Sequence, residues 1–124
     1  MLRLRTEPIV THTDSRGALY KLQPDPVPGE VYAIRALKNE SRGHHFHKHM
    51  GEWFTAIQGD GVVVAVNPTT LERTEASLVG QRVYVPAGIA HAIYNLGQND
   101  LVVLASAEAT HDPNDVHSFH VSRV

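Results

Sequence analysis

Four of the chain's nine histidines fall within six residues of one run, Ser41-Arg42-Gly43-His44-His45-Phe46-His47-Lys48-His49-Met50-Gly51-Glu52-Trp53-Phe54. Neutral imidazoles with a carboxylate close behind are the donors of a divalent-cation site. The run leads straight into the apolar stretch Trp53-Phe54-Thr55-Ala56-Ile57. Burying so many polar groups costs free energy unless something compensates them, and a bound cation would.

Donors act together only if the backbone aims them at one point. In a strand, residues two apart share a face, so His45 and His47 point together while Phe46 faces the other layer. Glu52 follows His47 by five residues, enough for a turn and re-entry on a neighbouring strand. A fourth donor must come from elsewhere, and His91, just after the Pro86-x-Gly88 turn, is the candidate. Two or three imidazoles plus one carboxylate suit zinc first, and also iron, manganese or nickel, with coordination positions left open for water or substrate. Taken alone, a His-x-His pair reads equally well as a surface accident.

The rest of the chain reads as short strands. Runs rich in β-formers fall at 9–11, 18–22, 30–37, 52–57, 62–66, 71–78, 82–85, 91–94 and 101–105, with Gly, Pro, Asn or Asp turns between most of them. Prolines between Pro24 and Gly29 mark a loop. No run sustains a helical period over three turns, so the expected class is an all-β barrel or sandwich. Within the tail, 107–124, residues 108–115 read as a polar loop and 116–121 could return as an edge strand.

Composition bounds the function. At 124 residues the chain is expected to be one domain, with lead-in strands over 1–29, a barrel core over about 30–106 and the tail. A net charge of -2, with both signs interspersed, gives no case for nucleic acid or an anionic membrane as partner. There is no cysteine, so disulfides and thiolate sites are excluded. The first residues lack the apolar core of a signal peptide and no stretch has the length of a membrane span, so a cytoplasmic location is expected.

Two spaced motifs give the pattern a family. His45-x-His47, four residues, Glu52, six residues and Gly59 resemble the first cupin motif. Gly80-x5-Pro86-x-Gly88-x2-His91-x3-Asn95 resembles the second at every fixed position. Asn39 stands where the first motif usually opens on glycine, a position that serves a turn. The resemblance covers roughly residues 30–106 and implies a jelly-roll barrel with metal ligands at His45, His47, Glu52 and His91. Within the cupins, Arg42-Gly43-x-His45-x-His47-Lys48 and Asp14-x-Arg16-Gly17 look like the signatures of WxcM/FdtA-like nucleotide-sugar ketoisomerases and epimerases. The stretch from Pro86 through Gly97, then Glu108-x3-Asp112-Pro113, resembles the C-terminal cupin domain of CapF-type capsular polysaccharide enzymes.

That resemblance implies an epimerase or ketoisomerase acting on a nucleotide-linked 4-keto-6-deoxy sugar. The chemistry begins with loss of a proton beside the carbonyl, and a cation on the keto oxygen stabilises the resulting charge. His49 or Tyr94 is the candidate acid or base, with His45 taking that role if no metal is present. Arg42 and Lys48 would face the diphosphate, Arg42 the better suited through its planar fork. No dinucleotide-binding glycine motif occurs, so a reductase step is not expected of these residues. Cupins of this group commonly pair, so a homodimer is expected, with Trp53 a candidate interface residue. Two other readings compete: a mononuclear-metal dioxygenase with the same ligands, and a non-enzymatic cupin binding a small ligand or carbohydrate.

Overall fold

Alternating and β-branched runs become strands wherever their apolar side chains find a facing layer. The computed structural model describes residues 1–24, 26 and 29–123. In chain order its strands are β1 (Arg5–Pro8), β2 (Val10–Asp14), β3 (Gly17–Lys21), β4 (Glu30–Ala36), β5 (Ser41–Phe46), β6 (Glu52–Gln58), β7 (Gly61–Val66), β8 (Arg73–Ser77), β9 (Gln81–Val85), β10 (Ala90–Asn95), β11 (Leu101–Ala107) and β12 (His117–Ser118), with a single 3₁₀ turn at Pro113–Asp115. No α-helix occurs among the described residues. The loop expected over Pro24–Gly29 falls partly outside them.

Ten strands form two five-stranded antiparallel sheets. One runs β1-β9-β6-β11-β4 and the other β12-β5-β10-β7-β8, while β2 and β3 make a separate hairpin. Inward side chains of both sheets share one core, including Phe54, Val83, Val103 and Ala105 from the first and Val63 and Ile93 from the second. This is the jelly roll that the family resemblance implies.

The continuous apolar run of β7 has a separate cause. Alternation would bury only half of Val62–Val66, yet all five are buried. Their outer face is covered by the tail, where Val121 and Phe119 pack with Phe46 and Tyr94 over Val62, Val64, Ala90 and Ala92. The end of the tail is therefore a second core layer, 108–114 is the exposed polar loop expected, and β12 is shorter than the edge strand expected over 116–121. β1 was also not anticipated. Its sequence, Arg-Thr-Glu-Pro, lacks strand patterning, and it pairs with β9 through Glu7, whose carboxylate accepts from both Arg82 and Arg5.

Two turn positions bear on the site. Asn39 takes a left-handed φ of 66° before β5, a conformation asparagine tolerates, and so does the work of the motif glycine. Gly43, with φ of 109°, has His91 O and Ala92 Cα where a Cβ would sit, so only glycine fits this close approach of β5 to β10.

Candidate functional site

Strand register explains which side chains meet. β10 pairs with β5 so that His91 lies opposite His45 and Ala92 opposite Gly43, which leaves His44 as an extra, bulged residue. In an unbroken strand Arg42 and His45, three apart, would point to opposite faces. The bulge cancels that offset, and Arg42, Gly43 and His45 line one cavity together with Tyr32, Ile34, Phe54, His91 and Ile93. His44 itself turns to the tail. Its Nδ1 accepts from the Val121 amide at 3.1 Å, its Nε2 donates to Ser41 Oγ at 2.9 Å, and its carbonyl takes the Phe119 amide at 2.9 Å.

The donors converge between the two sheets. His45, Glu52 and His91 offer ligand atoms that all lie within 4.8 Å of one another. His47 Nε2 stands 3.1 Å from Glu52 Oε1, and His91 Nε2 is 3.9 Å from the same oxygen. Glu52, His91 and His47 are only 1%, 4% and 6% exposed. Glu52 Oε1 has no hydrogen-bond partner among the described residues, although it is fully buried. Its other oxygen, Oε2, accepts from the Tyr32 hydroxyl.

The electrostatics suit a cation. Burial pushes the Glu52 carboxyl up, but His47, His91 and Tyr32 together outweigh it and hold it below the ordinary carboxylate value. Burial, partly opposed by Glu52, drives His91 down to about 4, so its imidazole is neutral near pH 7. His45 is lowered by burial and then by His47. His47 is raised, chiefly by the Glu52 carboxylate alongside it. A buried ionised carboxylate oxygen, beside two imidazoles (His45 and His91) held neutral by burial, fits a divalent cation by both charge and donor type.

A second cavity of about 280 Å³ opens on the other side of Tyr32 and His45 and is lined also by Glu30, His47, Met50, Ala107, His111 and Val116. Tyr32 and His45 thus face both cavities. Lys48 is exposed and lines neither cavity. His49 lies beyond the end of β5, so its side chain does not follow the strand's alternation. It lines a separate cavity, on the other side of His47, with Asp112 and Asp115. Tyr94 donates its hydroxyl to the Val121 carbonyl at 2.6 Å and belongs to the core under the tail, on the face of β10 away from His91. The acid or base role expected of Tyr94 therefore has no geometric support. Trp53 is 8% exposed, covered by the Arg5 and Arg82 guanidiniums at 5.2 and 5.3 Å and by the Tyr84 ring, all of its own chain.

Two residues at the site escaped the sequence reading. Tyr32 lies outside both motifs. The alternation of β4 does put Tyr32 and Ile34 on one face, but nothing in the sequence says that this face looks inward. Asp115 gave no signal at all, because its partners lie sixty-odd residues away.

A barrel that carries such donors on facing sheets, at the spacing of both motifs, is a cupin. Within that class the chain belongs to the polysaccharide biosynthesis C-terminal domain family, whose model matches residues 12–119. Among solved structures, the chain is similar to the capsular polysaccharide assembling protein CapF from Staphylococcus aureus, with 28% identity over 92% of this chain and a TM-score of 0.71. It spans 35% of the length of CapF. The 3'-monoepimerase ChmJ from Streptomyces bikiniensis, in complex with dTDP-quinovose, is 19% identical over 93% of this chain and 68% of its own, with a TM-score of 0.82. The dTDP-6-deoxy-D-glucose-3,5-epimerase RmlC from Legionella pneumophila Philadelphia 1, in complex with dTDP-4-keto-L-rhamnose, is 20% identical over 94% of this chain and 72% of its own, also with a TM-score of 0.82. At the identities of ChmJ and RmlC the likeness is one of fold. No curated protein matches the chain.

Proposed function

We propose that the chain is a divalent-metal epimerase or ketoisomerase for a nucleotide-linked 4-keto-6-deoxy sugar, working in the cytoplasm as a homodimer. One observation carries the reading: a buried carboxylate oxygen without a hydrogen-bond partner meets the imidazoles of His45 and His91, with His47 3.1 Å from it, beneath cavities lined by Arg42 and Tyr32. The polysaccharide family and the sugar-nucleotide ligands of its structural neighbours support the substrate class.

His45, His47, Glu52 and His91 would hold the cation, with zinc the first expectation and iron, manganese or nickel as alternatives. Bound there, it would act as a Lewis acid on the keto oxygen of the substrate. Arg42, at the edge of the cavity that it shares with His45 and His91, offers a bidentate fork to the diphosphate. Tyr32 handles the proton. Burial and the adjacent Glu52 carboxylate raise its hydroxyl well above the ordinary phenol value, so it is neutral and hydrogen-bonded. Held by Glu52 Oε2, that hydroxyl is placed to return a proton to the carbon beside the carbonyl after solvent has taken one, and is reprotonated from solvent in turn.

A metal-free variant of the same reaction has an observation in its favour. His45 is lowered by burial, hence neutral near pH 7, and it faces both cavities, so it is placed to be the base itself.

The test is solvent exchange. Metal-replete protein is incubated in D₂O with a panel of dTDP- and UDP-4-keto-6-deoxy sugars and followed by NMR, and the proton beside the keto group is expected to wash out of at least one of them. Exchange in none of the panel overturns the reading. Glu52→Gln, which keeps the shape but loses the charge, is expected to strip the metal, as mass spectrometry of the purified variant would show. Exchange that survives in that stripped variant selects the metal-free version.

A further inference from the structure

β5 ends at Phe46, so His47 has no ladder to fix it. The Gly88 amide donates to its carbonyl at 2.7 Å, and the rest of what holds it comes from the tail. Asp115, at the end of the 3₁₀ turn, is 5% exposed and reaches back to three consecutive residues of the site. Its Oδ1 accepts from the Lys48 amide at 2.8 Å and its Oδ2 from the His49 amide at 3.0 Å. Its backbone carbonyl accepts from His47 Nδ1 at 2.7 Å. His117 Nε2 lies 3.2 Å from Oδ1 and holds the carboxylate from the far side.

A carbonyl oxygen can only accept, so His47 Nδ1 carries a proton, and in the neutral ring the lone pair is then on Nε2, the atom that faces Glu52. The carboxylate meanwhile ties down the two amides that follow, which fixes the direction in which His47 leaves the strand. We infer that Asp115 is a positioning residue of the metal site, setting the tautomer and orientation of His47, and that docking of the tail and binding of the cation are therefore coupled.

The inference rests on the metal reading proposed above. It carries a consequence which that reading lacks. Coupling is reciprocal, so whatever factor the docked tail adds to cation affinity, the cation returns to tail docking. Outer partners of ligating histidines are commonly worth about ten- to a hundredfold in metal affinity.

Three measurements test it. In the metal-free wild type, imidazole ¹⁵N NMR at mildly alkaline pH is expected to show His47 as the Nδ1–H tautomer, and Asp115→Ala, which keeps the carbonyl but frees the Lys48 and His49 amides that aim the ring at it, is expected to weaken that preference. Zn²⁺ titration is expected to show Asp115→Ala weakened by about ten- to a hundredfold, with Asp115→Asn, which keeps one acceptor, in between. Tyr94→Phe is the control, because it loosens only the far end of the tail, at Val121, and leaves the 3₁₀ turn and the Asp115 contacts docked. Its affinity is expected to stay near that of the wild type. Amide exchange at Lys48 and His49 in the wild type is expected to slow on adding Zn²⁺ by about the factor that Asp115→Ala loses, an arm that stands even if the variant fails to fold.

An Nε2–H tautomer, equal weakening in Tyr94→Phe, or amide exchange indifferent to Zn²⁺ would each overturn the inference while leaving the proposed reaction in place. A wild type that takes up no Zn²⁺ overturns the metal reading and the coupling together. Linked Zn²⁺ binding without sugar exchange sinks the reaction and leaves Asp115 in its role.

Discussion

Tyr32 decides which oxygen of Glu52 is available to the site. By donating to Oε2 it leaves Oε1 bare among the histidines. Tyr32→Phe keeps the ring and removes only that donor. Loss of general acid–base catalysis at such a position costs about 10²–10⁴ in rate, so the variant is expected to slow solvent exchange by that order. It should keep its zinc, because Glu52 and the three imidazoles are untouched. Rate and metal content, measured on the same preparation, separate a proton carrier from a residue that merely builds the site. A fall in both together would speak against the role given to Tyr32. The cluster of His45, His47, Glu52 and His91 was legible in the sequence because motif spacing encodes it locally. Tyr32 was not, since its role depends on the barrel closing so that one face of β4 meets β6 across β11.

Among elements, β1 shows what patterning misses. A four-residue strand without alternating apolar residues has little hydrophobic reason to form. Arg5 and Arg82 lie over the Trp53 ring, and Glu7 bridges them, bonding Arg82 Nε at 2.8 Å and Arg5 at 2.6 Å. A strand held by charge on an aromatic floor is invisible to hydrophobic periodicity, and the same contacts cover the tryptophan that was expected at an interface. They also predict a pH dependence. Arg82 first, then Arg5, holds the Glu7 carboxyl below its ordinary value of 4.5. A depressed carboxylate stabilises the fold above its unfolded value and loses that contribution as pH falls through the folded one. In urea unfolding, Glu7→Gln is expected to be weaker than the wild type by about 0.5–1 kcal/mol at neutral pH. That gap should close as the pH drops below 4.5. A gap unchanged in acid would mean that the carboxylate charge is not what holds β1.

The whole molecule has one exposed feature that the barrel does not explain. The β2–β3 hairpin pairs with neither sheet, and Leu19 and Tyr20 are 58% and 60% exposed. A lone two-stranded hairpin is marginal in water, and a second copy of the chain would give these side chains a place to pack. Sedimentation equilibrium is expected to show a dimer, and Leu19→Glu with Tyr20→Ser to shift it toward monomer; a wild type that sediments as a monomer would refute the pairing. The two sheets were legible because the turn signals divide the chain at the right places. The covering tail was not, since its apolar residues Phe119 and Val121 are sparse and find their partners only in the folded state. One consequence belongs to this scale. The donors are divided between the layers, with the histidines on the β5–β10 side and Glu52 on β6, so a cation there would be a cross-brace between two sheets. Occupancy would then add to the folding free energy by mass action, about 2.7 kcal/mol at a hundredfold excess over the dissociation constant. The melting temperature of the barrel would become a gauge of cation supply, and a cell short of the metal would hold a less durable protein as well as an idle one.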